Sequence, residues 1–291
     1  MNTTTTTTLT ARELDQIAQA NASARPAAVL IHGLWLLAGS WDAWRDHLED
    51  AGYAVVAAEW PQEPANVADA RTNPGSFAGV GVQEVTDHIA EIASALHRRP
   101  VVIGHSFGGL LAQRIADLGL AAATVAIDPA PFKGVLPLPA STLKAASPVL
   151  GNPANRKRTV TLSFDEFRYG FANSVEEDEA HDLYDMFHVA APGRPLFQAA
   201  TANFTRGTAT RVDTRNPARG PLLVISGERD NIVPRAVSHA AYRLQSRNEA
   251  ATEFVEIPGR GHSLVIDSGW RTVADTALEF AARHDGNSTA A

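Results

Sequence analysis

None of the 291 residues is a cysteine, which excludes a disulfide framework, a thiolate metal site and a cysteine nucleophile, and leaves the redox compartment unread. There is no excess of positive charge either. The 25 Lys and Arg are scattered among 32 Asp and Glu, for a formal net charge of -7, and such a surface offers little to a phosphate backbone, so nucleic acid is not expected as a partner. No apolar stretch approaches the roughly 20 residues that cross a bilayer. The threonine-rich opening, residues 1–10, lacks the basic segment and apolar core of a signal peptide. The chain is therefore expected to be soluble, cytoplasmic by default and secreted if a signal has been removed, with residues 1–10 disordered.

What is present is a hydrophobic fraction of 45%, ample for a buried core. Thr10 and Glu13 have the spacing of a capping box, followed by Leu14, Ile17 and Ala18 at helical spacing, which predicts a short leading helix. Continuous apolar runs at 27–32, 53–58, 100–104, 123–127, 221–226 and 252–257 predict strands covered on both faces. Helical patterns at 41–51, 80–96, 107–118, 234–247 and 270–282 lie between most of them, and this alternation calls for a parallel sheet with right-handed crossovers. The rhythm breaks between Asp128 and Arg219. That interval has a proline-rich entry (Pro129, Pro131, Pro137, Pro139) and amphipathic stretches at 164–171 and 176–187, so it is read as a helical insertion covering the sheet. The expected organisation is a tail and leading helix over 1–26, a core over 27–128 and 220–283, a lid over 129–219 and a flexible end at 284–291.

Gly104-His105-Ser106-Phe107-Gly108 is a GxSxG pentapeptide entered from an apolar strand and left through a helix-forming stretch. In that setting a serine takes a strained turn that exposes its hydroxyl above the carboxyl ends of the strands. Such a hydroxyl needs a base. Of the ten histidines, His262 has the best surroundings, in Gly261-His262 after the last strand and before the last helix. His32 and His105 adjoin motif glycines and are expected to orient backbone. His47, His88, His97, His181, His188, His239 and His284 read as helix-surface or loop residues, and no pair has the spacing and carboxylate company of a zinc site, so neither metal nor cofactor is implied.

A carboxylate must hold the imidazole in the right tautomer. Asp230 follows the strand at 221–226 and is preferred; Asp128 ends the strand at 123–127 and is the alternative acid or a substrate contact. Oxyanion donors are expected from the backbone N–H of Phe107, at a helix start, and of Leu34, in His32-Gly33-Leu34-Trp35. Nine of the fifteen Phe and Tyr residues lie between Phe132 and Phe204. Together with Trp35 they suggest an apolar ceiling, with Trp35, Asp128 and Phe132 as substrate contacts and a neutral, hydrophobic ester or lactone as the small-molecule substrate.

With these residues in place, from about Ala27 to Ala282 the chain resembles the α/β-hydrolase superfamily. The resemblance is carried by His32-Gly33, Gly104-His105-Ser106-Phe107-Gly108-Gly109, Gly227-Glu228-Arg229-Asp230 and Gly261-His262. It implies a Ser-His-Asp triad, an oxyanion hole and a lid after the sixth strand of the standard count. The expected α/β fold departs from that standard in lacking a hairpin before Ala27, leaving a mostly parallel sheet of about six strands with helices on both faces. Epoxide hydrolases and haloalkane dehalogenases carry an aspartate where Ser106 stands and are disfavoured. A serine esterase or lactonase is the expected activity; acyl transfer, carbon-carbon hydrolysis, hydroxynitrile lysis, cofactor-free haloperoxidation and ligand binding on a hydrolase scaffold share the same features.

Overall fold

A computed structural model describes residues 8–284; the disorder expected of residues 1–7 and the flexible end expected at 285–291 lie outside the described residues. The expected disorder does not extend to Thr8–Thr10. Thr8 donates its N–H and hydroxyl to Glu91, and Thr10 closes a reciprocal capping box with Glu13 at the start of α1 (Ala11–Ala22).

The elements then follow in the expected alternation: β1 (Ala27–Ile31), α2 (Asp42–Asp50), β2 (Ala54–Ala58), α3 (Val67–Thr72), α4 (Val82–Ala95), β3 (Val101–His105), α5 (Phe107–Asp117) and β4 (Ala123–Ile127). The interval that breaks the rhythm holds α6 (Ala140–Leu150), β5 (Thr159–Val160), α7 (Phe164–Gly170), α8 (Glu177–Phe187), β6 (Ala191–Pro192) and α9 (Arg194–Ala200), with β5 and β6 forming a two-residue antiparallel pair. The chain returns to the sheet with β7 (Leu222–Gly227), α10 (Arg235–Gln245), β8 (Thr252–Ile257) and α11 (Trp270–His284), so His284, assigned to the flexible end by the sequence, closes a helix.

Six strands form one sheet in the order β2-β1-β3-β4-β7-β8, every pairing parallel. The four central strands are wholly or almost wholly buried, because helices cover both faces and leave no solvated side for polar alternation. The order reverses between β1 and β3, the switch point beyond whose carboxyl ends a crevice opens in such sheets. His32-Gly33 and Ser106 are the residues that leave these two strands.

Tryptophans fasten the sheet's flank. Trp41 and Trp44 meet edge to face at 5.0 Å, Trp44 packs against Trp270 of α11, and the Trp44 indole N–H donates to Val265 O at 2.8 Å. Both rings are buried, and the Trp44 N–H finds its acceptor in the Val265 carbonyl. Through Val265 this packing also anchors the loop that carries His262.

Two of the histidines read as surface residues are in fact buried. His88 pairs with Glu13 at 2.8 Å beneath α1, and His188 accepts from the Leu162 N–H and stacks on Tyr184.

Candidate active site

Ser106 stands between β3 and α5 with φ 57° and ψ -119°, a conformation that costs a non-glycine residue about 1–3 kcal/mol and persists only where the surroundings over-determine it. They do so here. Its N–H donates to Ile127 O, and its carbonyl accepts from Gly109, Leu110 and Ala130. The flanking glycines are required by approach: a Cβ on Gly104 would lie 2.0 Å from Gly108 O, and one on Gly108 would lie 2.0 Å from Ile31 O. Strand β3, helix α5 and strand β1 thus converge on the turn more tightly than any side chain permits.

Gly33 brings the loop after β1 against the same serine, where a Cβ would fall 2.7 Å from Ser106 Cβ and 3.2 Å from its Oγ. Among the described residues no backbone carbonyl accepts from the N–H groups of Leu34 and Phe107. The first lies in this loop and the second at the first residue of α5.

His262 follows β8 in a loop that is pinned on several sides. Arg229 N–H donates to Arg260 O, Ser263 N–H donates to Phe171 O, and Ser263 Oγ donates to Asp267, which also pairs with Arg260. The imidazole is fully buried, and its Nδ1 bonds Asp230 Oδ2 at 2.5 Å. Asp230 accepts on its other oxygen from the N–H groups of Ile232 (2.6 Å) and Val233 (2.8 Å). Among the described residues the Nε2 of His262 has no hydrogen-bond partner.

The alternative acid, Asp128, does not bond the imidazole. It sits at φ 38° at the end of β4, buried, with Oδ1 accepting from Gly227 N–H at 2.8 Å. Burial, and next the negative charge of Asp230, push its carboxyl well above the usual carboxylate range. One oxygen or nitrogen from each of Asp128, Asp230 and His262 lies within 4.8 Å of the others. The hydrogen bonds of Asp230 and His262 with each other and with backbone account for that closeness.

His105, expected to orient backbone, is fully buried against the backbone and ring of His262. Its ring lies 4.6 Å from that of His262, and burial, then the charge of His262, hold it well below the usual imidazole range. His32 does bond backbone, and it also bonds Glu63, a residue that no sequence motif marked.

Among the expected substrate contacts, Trp35 takes a positive φ of 65°, donates its indole N–H to Val160 O and meets Phe171 edge to face at 6.0 Å. Phe171 in turn meets His262 at 4.9 Å. The ring that reaches the imidazole from the 129–219 interval is therefore Phe171, visible in the sequence only as the end of an amphipathic stretch. Phe132 is buried, and among the described residues no ring contact or hydrogen bond joins it to Ser106, Asp230 or His262. Further hydrogen bonds, Val189 N–H to Trp35 O, Asn173 to Arg229 O and Asn231 to Tyr169 O, stitch the interval to the loops at the carboxyl edge of the sheet. Ser106 keeps 5% of its exposure and His262 none.

Residues 28–276 match a family model described as the alpha/beta hydrolase family. Among solved structures the fold is similar to a monoacylglycerol lipase of Paleococcus ferrophilus, with 22% identity and a TM-score of 0.60 over 88% of this chain and 96% of that one. It is similar to a pyrethroid hydrolase from Sphingobium faniae JZ-2, with 21% identity and a TM-score of 0.61 over 88% and 97%. An extracellular alpha/beta-hydrolase from a Paenibacillus species gives 22% and 0.60 over 88% and 98%. No curated protein sequence matches the chain. At these identities the likeness to solved structures is one of fold.

Proposed function

The chain belongs to the alpha/beta hydrolase family, and on that premise we propose that it is a serine hydrolase acting on a neutral, hydrophobic carboxylic ester or lactone through an acyl-enzyme at Ser106. The observation that carries this reading is the Asp230–His262 bond. With Nδ1 committed to Asp230, the free nitrogen of the buried imidazole is Nε2, the one that must take a proton from the nucleophile.

In the first half-reaction Ser106 Oγ attacks the acyl carbon as its proton passes to His262 Nε2. The carbonyl π electrons move onto oxygen, which the N–H groups of Leu34 and Phe107 stabilise; each such donor is typically worth about 3 kcal/mol of barrier. Collapse of the tetrahedral intermediate breaks the bond to the leaving alcohol, which receives the proton from His262. Water then adds to the acyl carbon as it gives a proton to Nε2, the bond to Ser106 Oγ breaks, Oγ takes that proton back and the acid is released, while Asp230 holds the imidazole in register. Trp35, Phe171 and Phe107 supply apolar walls, which supports a substrate without charge near the scissile bond. Residues 129–219, tied down through Val189 and Asn173, would serve as the lid.

Incubation with a fluorophosphonate tests the reading. Covalent labelling at Ser106 and its loss in Ser106→Ala are expected, and a folded wild-type chain that takes no label would point to a ligand-binding protein on this scaffold. Product analysis with an added alcohol separates hydrolysis from acyl transfer.

A further inference from the structure

The loop expected to supply the Leu34 donor begins at His32, whose ring is buried and has an oxygen at each nitrogen. Nδ1 is 2.8 Å from Gly33 O and Nε2 is 2.7 Å from Glu63 Oε2. A carbonyl and a carboxylate both only accept, whereas a neutral imidazole has a single N–H to donate. Only an imidazolium satisfies both contacts. Glu63 is bound as an anion would be, accepting at Oε1 from Ala38 N–H (2.7 Å) and at Oε2 from Trp60 N–H (2.8 Å) as well as from the ring. Imidazole is the stronger base of the two by about two pK units, so the shared proton belongs on His32.

Gly33 O and the Leu34 N–H belong to one planar trans peptide, in which they point in opposite directions. With the carbonyl held by His32, the Leu34 N–H faces away from the ring, and Gly33 itself lies against Ser106. A flip of this peptide would put an acceptor where the oxyanion needs a donor.

We infer that the buried His32–Glu63 pair is a charge-assisted latch that holds the Gly33–Leu34 peptide in its donor orientation, making both residues positioning residues for the proposed reaction. The inference rests on the hydrolase reading and on Leu34 as an oxyanion donor. Among the described residues the groups facing His32 are Glu63 and Glu59 from the segment after β2, His105 from β3, and the Trp60 ring at 5.7 Å. Burial opposes the charge on His32, but Glu63, its hydrogen bond and the Gly33 carbonyl outweigh burial, and the imidazole is raised above its ordinary range.

The test starts with the full wild-type chain. Failure of Ser106 to take a fluorophosphonate would count against the hydrolase reading. Nitrogen-15 NMR of the His32 ring near pH 7 addresses the latch separately, whether or not label is taken. Two protonated ring nitrogens are expected, and a single-proton tautomer overturns the latch. Where the wild type takes label, unlabelled Glu63→Gln enzyme should show kcat for a p-nitrophenyl ester lowered by about 10- to 100-fold with KM within about threefold. It should also move the alkaline fall of kcat/KM to lower pH, while Glu63→Asp, which keeps the charge, should recover part of the loss. Wild-type kcat and pH profile in folded Glu63→Gln would overturn the inference; if that variant does not fold, the ring NMR of the wild type decides alone.

Discussion

His262 Nδ1 lies 2.5 Å from Asp230 Oδ2, with both side chains fully buried. An amide at position 230 would present either an N–H or a neutral carbonyl to that nitrogen, and in the first case would force the wrong tautomer. Asp230→Asn is therefore expected to lower kcat by about ten-thousandfold with a small change in KM. Asp128→Asn should cost less than about tenfold, since Asp128 bonds Gly227 rather than the imidazole. Steady-state kinetics on the two folded variants checks the assignment, and the reverse pattern would move the acid to β4.

The raised pKa of Asp128 carries a stability consequence. Its folded-state pKa is raised, so below the unfolded value of about 4 both states hold the proton and the group has no effect. As pH rises past that value the unfolded chain ionises while the folded one does not, and stability is lost. Asp128→Asn keeps the acceptor for Gly227 and removes this loss. Thermal melts should show the variant more stable than wild type at pH 7.5 and the gap closing towards pH 4; a gap that widens on acidification would contradict a raised pKa at Asp128.

His188 gives the opposite test, at acid pH. Burial, then the positive charge of Arg71, lower its pKa from 6.5 to about 4. Below pH 6.5 the unfolded chain takes up a proton that the folded one refuses, so stability falls between pH 6.5 and 4, by about 3 kcal/mol at most for this group. His188→Gln retains an acceptor for Leu162 N–H and should flatten that slope in urea titrations across the same range. An unchanged slope would place the acid sensitivity elsewhere.

Strain at Ser106 can be separated from chemistry. Ser106→Ala and Ser106→Gly should both abolish ester turnover. Glycine alone adopts φ 57°, ψ -119° without penalty, so Ser106→Gly should be the more stable of the two by about 1 kcal/mol, after allowance for glycine's greater freedom when unfolded. Equal melting temperatures would mean that the turn stores no such strain.

Much of this was legible in the sequence because it depends on local pattern. Five of the six strands are apolar runs, the sixth, at the sheet edge, carries Glu253 and Glu256, the elbow is a pentapeptide set between strand and helix, and Asp230 and His262 follow strands at the carboxyl edge. What was not legible depends on distant partners or masked local signals. Glu63 acquires its role from His32, 31 positions earlier, and nothing around Trp60-Pro61-Gln62-Glu63 marks it. The burial of His88 follows from Glu13, 75 positions away. Helix α6 contains Pro148 and follows a proline-rich entry, which disguise its helical period. Phe132 looked like a pocket residue by composition, whereas packing gave the position beside His262 to Phe171.

The last prediction concerns Phe171, through which the 129–219 interval reaches the imidazole. Its ring stacks on Phe167 at 5.1 Å, meets Trp35 and His262 edge to face, and its carbonyl holds Ser263. Phe171→Ala would lose the buried ring and leave a void, a loss of about 3–5 kcal/mol that would confound any kinetic reading. Phe171→Leu keeps most of the apolar volume at a cost of about 1.5 kcal/mol or less but removes the flat edge against the imidazole. It should remain folded, lower kcat several-fold and change the ranking of esters graded by acyl size, because both the imidazole and an apolar wall have shifted. Phe204, 91% exposed in the same interval, is the control, and Phe204→Leu should leave kcat and the ranking untouched. If Phe171→Leu matches wild type across the ester series, the interval packs on the catalytic edge without shaping what reacts there.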